Sequence, residues 1–166
     1  MPFGQDGNYS HEAIVGRINA DLANDLGNLA QRSLSMIAKN LGGVVPEPGA
    51  FTEADELLLD LAYQLPERGR AALESFALHT MLTDIWSVVG EANRYFASQE
   101  PWILRKQDPA RMATVLYVTA EALRAIGIAT LPFIPEAACK LLDLLGIDPA
   151  DARGRTAADL EQQAGP

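Results

Sequence analysis

Residues 10–40 form a long amphipathic stretch that contains no proline. Apolar side chains recur in it at helical spacing, so that they fall on one side of a helical wheel. These side chains are Val15, Ile18, Leu22, Leu26, Leu29, Met36 and Ile37. At a rise of ~1.5 Å per residue, the predicted helix is roughly 45 Å long. We therefore expect it to be the spine against which the other helices pack.

The opposite side of this helix carries a narrow polar stripe that includes Asn28 and Arg32. Side chains four residues apart point in the same direction from a helix. An amide beside a guanidinium can hydrogen-bond the edge of a nucleobase or hold a phosphate. The same spacing also occurs on an ordinary solvated helix face, so both interpretations stay open at this point.

Cap and turn signals divide the rest of the chain into further helices. Thr52 with Asp55 three residues on predicts a helix start, and Pro66 predicts an end before it. Asp108 followed by Pro109 predicts another start. The predicted helices cover about residues 10–40, 52–65, 69–97, 108–131 and 136–145. With no alternating strand pattern, we expect an all-α antiparallel bundle of about five helices, with residues 1–9 as a lead-in and residues 10–166 as the helical domain.

The charge of the chain restricts how it could bind a nucleic acid. A formal charge of −9 argues against general binding, because phosphate neutralisation normally needs a basic surface. Any nucleic-acid site must therefore be local. The cations that could gather near one end of the molecule are Arg17, Arg32, Arg94, Arg105, Lys106 and Arg111.

Composition also bears on the compartment. No apolar run approaches the ~20 residues that span a bilayer, and the start of the chain lacks the basic and apolar regions of a signal peptide. The single cysteine, Cys139, cannot form an internal disulfide, which fits a reducing compartment. We expect a cytoplasmic protein with no membrane partner.

The sequence offers little for catalysis. His11 and His79 have no second histidine or cysteine at metal-ligand spacing, and Cys139 lies on the apolar side of its predicted helix. Gly42 and Gly43 end a helix and are not followed by the lysine of a phosphate-binding loop. We therefore assign no catalytic residue, no cofactor site and no metal site.

The two tryptophans have different surroundings. Trp86 lies within a helical pattern and is expected in the core, whereas Trp102 follows Pro101 in a predicted loop. Arg94 and Arg105 flank this loop. An exposed aromatic ring near cations can stack an unpaired base, which is worth roughly 1–3 kcal/mol. An indole that closes the end of the bundle is the alternative, and it would serve stability only.

Two separated motifs together resemble a known family. They are the run of residues 19–32, NADLANDLGNLAQR, and the later pair Asn93-Arg94-Tyr95 and Pro101-Trp102. In order and separation they resemble the anticodon-binding domain of bacterial methionyl-tRNA synthetases. The resemblance extends back to residues 3–7 and forward through residues 131–135 to about residue 146.

The resemblance implies roles for particular residues. Asn28 and Arg32 match positions that contact anticodon bases, and Trp102 matches the tryptophan that stacks on the first anticodon base. Asn93 matches a position that we interpret as supporting the loop of Pro101 and Trp102. The remaining residue of the implied anticodon site is Arg94, which belongs to the same motif.

The resemblance also implies partners that this chain would serve. These are methionine tRNA, bound through its anticodon loop, and the catalytic domain of the same enzyme, which binds ATP and methionine. No HIGH-type or KMSKS-type signature occurs in the sequence, so we expect a C-terminal fragment that is inactive alone and holds no cofactor. The alternative function is a helical protein-interaction module without nucleic-acid binding.

Overall fold

The structure, a computed structural model, describes residues 24–148, and within them it is all-α. A π-helical turn over residues 24–27 leads into the first of the seven helices that this range contains. These are α1 (Asn28–Asn40), α2 (Glu53–Tyr63), α3 (Leu65–Glu74), α4 (Leu78–Gln99), α5 (Pro101–Gln107), α6 (Pro109–Thr130) and α7 (Pro135–Leu144). The predicted helix bundle is confirmed, whereas the predicted lead-in and the first part of the predicted long helix lie outside the described residues.

Helix α6 is the centre of the bundle. It contacts each of the other six helices, and 14 of its 22 residues are buried. A helix that is apolar on all sides is stable only when other elements surround it. By length and composition α6 could cross a membrane, but 67% of its most apolar stretch is buried inside the bundle. The prediction that the first helix is the spine is therefore wrong for the described residues, because α1 buries only one of its faces.

Three of the predicted helix signals are confirmed. Gly42 and Gly43 have φ values of +65° and +79° and end α1, a conformation that glycine adopts without strain. Thr52 and Asp55 form a capping box at the start of α2. The carboxylate of Asp108 accepts a hydrogen bond of 2.9 Å from a backbone N–H in the first turn of α6.

The predicted helix over residues 69–97 is wrong, because the structure has two helices there. Pro66 lies in the first turn of α3, where its missing N–H costs nothing. The chain then turns at Phe76, whose φ of +54° is a left-handed conformation that bulky residues rarely adopt. The N–H of Ala77 donates to the carbonyl of Ala72 at 2.8 Å and closes this turn. Sequence spacing alone did not reveal the break, because the apolar pattern continues across it.

The corner between α4 and α5 also differs from the prediction. The predicted loop after Pro101 is wrong: Pro101 and Trp102 open the short helix α5. Glu100 takes a left-handed conformation with φ of +45°, and its carbonyl accepts from the N–H of Ile103 at 2.8 Å. Trp102 is therefore fixed in the first turn of a helix that follows a sharp corner.

A buried ion pair connects three of the helices. Asp55 of α2 has no exposed surface, and its Oδ1 accepts from Arg111 Nη2 of α6 at 2.8 Å. The hydroxyl of Tyr95 on α4 donates to the same oxygen at 2.5 Å. Arg111 Nη2 also donates to Gln99 Oε1, the last residue of α4, at 2.6 Å. The charges are paired and hydrogen-bonded, which is the condition under which burial of ions is tolerated.

The surroundings of Asp55 change its acidity. Burial opposes ionisation, but hydrogen bonds from Arg111, the backbone N–H of Thr52 and the hydroxyl of Tyr95 outweigh it and lower the pKa of Asp55 to about 2. Burial and the nearby carboxylate both raise the pKa of Tyr95, so its hydroxyl stays protonated and acts as a donor. The ion pair is therefore complete at neutral pH.

We expect Asp55 to make folding stability sensitive to acid. The pKa of Asp55 in the folded protein is below its ordinary value of 3.8, so the stabilisation is complete above that pH and is lost as the pH falls towards about 2. It amounts to about 2 kcal/mol of the free energy of unfolding. Asp55→Asn should remove this part of the pH dependence and lower stability at pH 7 by about 3–5 kcal/mol, because Arg111 then lacks its counter-ion. Urea unfolding between pH 2 and 7 measures both effects.

The matched control is Asp60→Asn, which changes an exposed carboxylate on the same helix. Surface carboxylates contribute little, so this variant should retain the acid dependence of the native chain. Equal losses of stability in the two variants would contradict the assignment of the acid-sensitive contribution to Asp55.

Candidate nucleic-acid interface

Arg32 is held on the surface of α1 by three contacts. Its Nε donates to the backbone carbonyl of Asn28, one helical turn earlier, at 3.3 Å. Its Nη2 donates to Asn93 Oδ1 of α4 at 2.9 Å, and its guanidinium lies 5.2 Å from the centroid of the Phe96 ring. A cation at that distance from an aromatic face is attracted to it. The guanidinium therefore has a fixed orientation although the residue is exposed.

Asn93 connects the two helices on either side of this surface. Its Nδ2 donates to the backbone carbonyls of Asp25 and Val89, each at 3.1 Å, while its Oδ1 accepts from Arg32. The amide thus ties α4 to the turn before α1 and orients the arginine at the same time. The structure gives Asn93 a direct role at Arg32, a contact that the resemblance had not indicated.

Trp102 is joined to the same surface through Phe96. The two ring centroids are 6.1 Å apart and the rings are tilted by 60°, a favourable arrangement for aromatic pairs. Phe96 is 1% exposed, whereas Trp102 is 45% exposed. Pro101, which precedes Trp102 as the first residue of α5, is buried. The indole therefore rests on a rigid support with about half of its surface open.

We call this group of residues the candidate interface; it consists of Asn28, Arg32, Asn93, Phe96, Pro101 and Trp102. Direct contacts join Asn28 to Arg32, Arg32 to Phe96, and Phe96 to Trp102. Asn28 is exposed, and its side-chain amide has no hydrogen-bond partner within residues 24–148. No sequence motif singles out Phe96, because its spacing on the helix is that of any buried aromatic residue.

Arg94, the sixth residue implied by the resemblance, is not joined to the candidate interface. Its guanidinium pairs with Glu91 on its own helix, and its side chain is 72% exposed. It borders a shallow cavity of about 220 Å³ that is also lined by Leu57 and Leu61 of α2. Adjacent helical residues point about 100° apart, which separates Arg94 from Asn93.

The arrangement can recognise an unpaired base in two ways. Arg32 uses its Nε hydrogen and one Nη2 hydrogen internally, which leaves the two hydrogens of Nη1 and one of Nη2 without a partner in the described part of the chain. These donors and the amide of Asn28 can hydrogen-bond the edge of a base. The open face of Trp102 can stack a base. A fixed donor set beside a fixed aromatic face is the geometry that single-stranded RNA recognition uses.

A second surface feature fits the alternative of a protein-interaction module. An apolar groove of about 560 Å³ lies between α1 and α7. Leu34 and Ala38 line it on α1, Leu26 lines it from the turn before α1, and Leu141 and Leu144 line it on α7. The groove lies on a different side of α1 from Asn28 and Arg32. A protein partner in the groove would therefore not occupy the candidate interface.

Within residues 24–148, the structure contains no group of three or more His, Cys, Asp or Glu side chains placed to hold a metal ion. Cys139 is half-buried on α7.

The fold of residues 24–148 is that of an all-α helical bundle. Residues 45–164 match the family model described as the anticodon binding domain of methionyl tRNA ligase, and the chain belongs to this family. Residues 1–34 match a second model, described as tRNA synthetases class I (M). The candidate interface draws on both matches, because Asn28 and Arg32 fall in the second and Asn93 and Trp102 in the first.

Curated relatives agree with the family match. The chain is 68% identical over 153 residues to a methionine–tRNA ligase from Brucella suis biovar 1, a similarity that covers 92% of this chain and 30% of that protein. It is 55% identical over 169 residues to the methionine–tRNA ligase of Mycobacterium leprae, covering 99% of this chain and 31% of that protein. The chain thus spans about 30% of the length of the curated relatives it matches.

Solved structures show the same similarity in three dimensions. The apo form of Mycobacterium tuberculosis methionyl-tRNA synthetase matches with a TM-score of 0.87 and 56% identity, over 90% of this chain and 31% of that one. The same enzyme in complex with methionyl-adenylate matches with a TM-score of 0.88 and 55% identity, over 92% of this chain and 31% of that one.

We expect Asn93→Ala to loosen the attachment of α1 to α4. The change removes donors to the carbonyls of Asp25 and Val89 and the acceptor for Arg32. Unfolding in urea should show a loss of about 1–2 kcal/mol. The control is Asn40→Ala, which removes an amide that donates at 2.8 Å to Met36 of its own helix. If Asn40→Ala lowered the free energy of unfolding as much as Asn93→Ala, the hydrogen bonds between α1 and α4 would add nothing to stability beyond those within one helix.

Proposed function

We propose that this chain binds the anticodon loop of methionine tRNA through the candidate interface. In this proposal Asn28 and Arg32 hydrogen-bond the edges of anticodon bases, and Trp102 stacks on the first of them. The observation that carries the proposal is the contact series from Arg32 through Phe96 to Trp102, which holds an exposed guanidinium and an exposed indole on one support. Membership of the anticodon-binding family supports it.

Asn93 and Arg94 enter the proposal in different ways. Asn93 acts through Arg32, since its side chain is engaged with Arg32 and with two backbone carbonyls. Arg94 is exposed and paired with Glu91, so it would reach the RNA backbone only by exchanging or sharing that partner. An exposed pair of this kind is worth little, so such an exchange costs little.

The negative charge of the chain limits the kind of binding we propose. With a net charge of −9, general attraction to phosphates is unfavourable, so affinity must come from stacking and from hydrogen bonds to bases. Arg105 and Lys106 lie exposed in the last turn of α5, the helix whose first turn carries Trp102, and they provide local positive charge. Binding should therefore be selective for unpaired bases and weak for duplex RNA.

The proposal extends to the enzyme of which such a domain is a part. Residues 1–34 match the class I synthetase model, so we propose that a catalytic domain adjoins the α1 side of this domain and attaches methionine to the bound tRNA. ATP and methionine would bind there, and no cofactor is proposed for this chain. We also propose a cytoplasmic location without a membrane partner, in line with the single cysteine.

We expect Trp102→Ala to weaken binding and to leave the fold largely intact. Loss of the stacking face should reduce affinity for a methionine anticodon stem-loop by about 5- to 150-fold. Loss of the contact with Phe96 should lower the free energy of unfolding by less than about 1.5 kcal/mol. Fluorescence anisotropy of a labelled stem-loop and thermal unfolding measure the two effects.

The matched control is Trp86→Ala on α4. Trp86 is half-buried and packs against the core, so its removal should lower the free energy of unfolding by up to about 3–5 kcal/mol. At a temperature where both variants are folded, it should bind the stem-loop like the native chain. If Trp102→Ala were as destabilising as Trp86→Ala and bound RNA normally, the indole would be a structural plug.

We expect Arg32→Ala to reduce discrimination between anticodons. Edge hydrogen bonds distinguish bases by ~1–3 kcal/mol, so the preference for a methionine anticodon over one with a changed base should fall by about 5- to 150-fold. Binding of both stem-loops at several salt concentrations measures this preference. A guanidinium that contacts only phosphate would instead weaken both stem-loops equally and lower the salt slope by about one unit.

The exposed arginine on α3, Arg70, offers the control for Arg32→Ala, since within residues 24–148 it pairs only with Glu67 of the same helix. Arg70→Ala removes the same charge and should leave both affinities and their ratio unchanged.

A further inference from the structure

We propose that Phe96 is a positioning residue that couples the base-reading arginine to the base-stacking tryptophan. The inference rests on the proposed function of the candidate interface, and it assigns a role to a residue that RNA does not touch. Phe96 is 1% exposed, so any effect of its side chain on binding must pass through its neighbours.

The Phe96 ring contacts both functional side chains. The Arg32 guanidinium lies over it at 5.2 Å from the centroid, and the Trp102 ring lies 6.1 Å away at a tilt of 60°. Cation–π attraction and tilted ring packing both depend on orientation, unlike simple apolar burial. A shift of the Phe96 ring would therefore move the guanidinium and the indole together.

The position of the ring is fixed by the core of the bundle. Phe96 is one of the largest fully buried side chains, and its neighbour Tyr95 is anchored to Asp55. On the same helix, Asn93 accepts a hydrogen bond from Arg32 less than one turn before the ring. The guanidinium is thus held at its edge by Asn93 and from below by Phe96.

This geometry predicts that the two binding contributions depend on one another. A base stacked on Trp102 restricts the indole, the indole restricts the Phe96 ring, and the ring fixes the guanidinium that contacts the next base edge. Loss of Trp102 should therefore impair recognition by Arg32. The two substitutions together should then reduce affinity by a smaller factor than the product of the two single-variant factors. A Phe96 that served only as core filling would give independent effects.

The experiment is a double-mutant cycle of Arg32→Ala and Trp102→Ala, carried out in the native chain and in Phe96→Leu. Binding of a methionine anticodon stem-loop is measured by fluorescence anisotropy. In the native background, the double variant should bind the stem-loop about 3- to 10-fold more tightly than two independent effects would predict. In the Phe96→Leu background, the double variant should bind as independent effects predict. Phe96→Leu alone should weaken binding by about 3- to 10-fold and reduce anticodon discrimination.

The control is Ile85→Val, which trims a fully buried side chain on the same helix about three turns earlier. It should lower stability and retain the coupling. Retention of the coupling in Phe96→Leu would overturn the inference. If Phe96→Leu does not fold, Phe96→Met replaces it, with the same expected loss of coupling and the same contrary result.

The proposed function and this inference fail in different ways. If the native chain bound stem-loops with a methionine anticodon and with a changed anticodon equally well, both the proposed function and the role of Phe96 would be overturned. A native chain that discriminates, with a coupling that is absent or survives loss of the Phe96 ring, would leave the proposed function standing and overturn only the role of Phe96.

Discussion

The buried ion pair of Asp55 and Arg111 is the interaction on which the geometry of this domain depends. It joins α2 to α6, and through Tyr95 it also joins α4. Arg111 additionally holds Gln99, the last residue before the left-handed corner at Glu100. An uncompensated charge in this position would be costly, so the three helices are fixed relative to one another as long as the pair is intact. Because Gln99 directly precedes this corner, the ion pair also fixes the start of α5 and the indole of Trp102.

The proposed binding of RNA does not conflict with the acidic composition of the chain. The groups proposed to bind RNA are an amide, one guanidinium and one indole, and their directional hydrogen bonds and stacking do not require a large basic surface. The orientation of the guanidinium is set before binding, because Asn93 and Phe96 hold it. Less conformational entropy is then lost when a base is bound, which favours selectivity from a small contact area.

Local signals in the sequence were sufficient for several features. The capping box of Thr52 and Asp55, the glycines after α1 and the cap at Asp108 were all predicted correctly, because each depends on residues within one turn. The pairing of Asn28 and Arg32 on one helix face also follows from spacing alone. Such features need no knowledge of which helices become neighbours.

Features that depend on distant neighbours were not predictable in the same way. The central place of α6 arises from apolar residues on all of its sides, a pattern that gives no amphipathic stripe to recognise. The left-handed turn at Phe76 interrupts a stretch whose apolar spacing continues, so periodicity could not reveal it. Phe96 has the sequence pattern of any core aromatic residue, and only the packing of α1 and α5 around it shows its two contacts.

Assembly of the candidate interface is therefore a consequence of tertiary packing. Arg32 and Asn93 are 61 residues apart in sequence, and they fall in the matches to two different family models. Helix α1 supplies the proposed hydrogen-bond donors, and helices α4 and α5 supply the rings of Phe96 and Trp102. Because Asn93 bonds both to Arg32 and to the turn before α1, the contact that orients the arginine also fastens the two halves. Docking of α1 on α4 and orientation of the Arg32 guanidinium therefore depend on the same side chain.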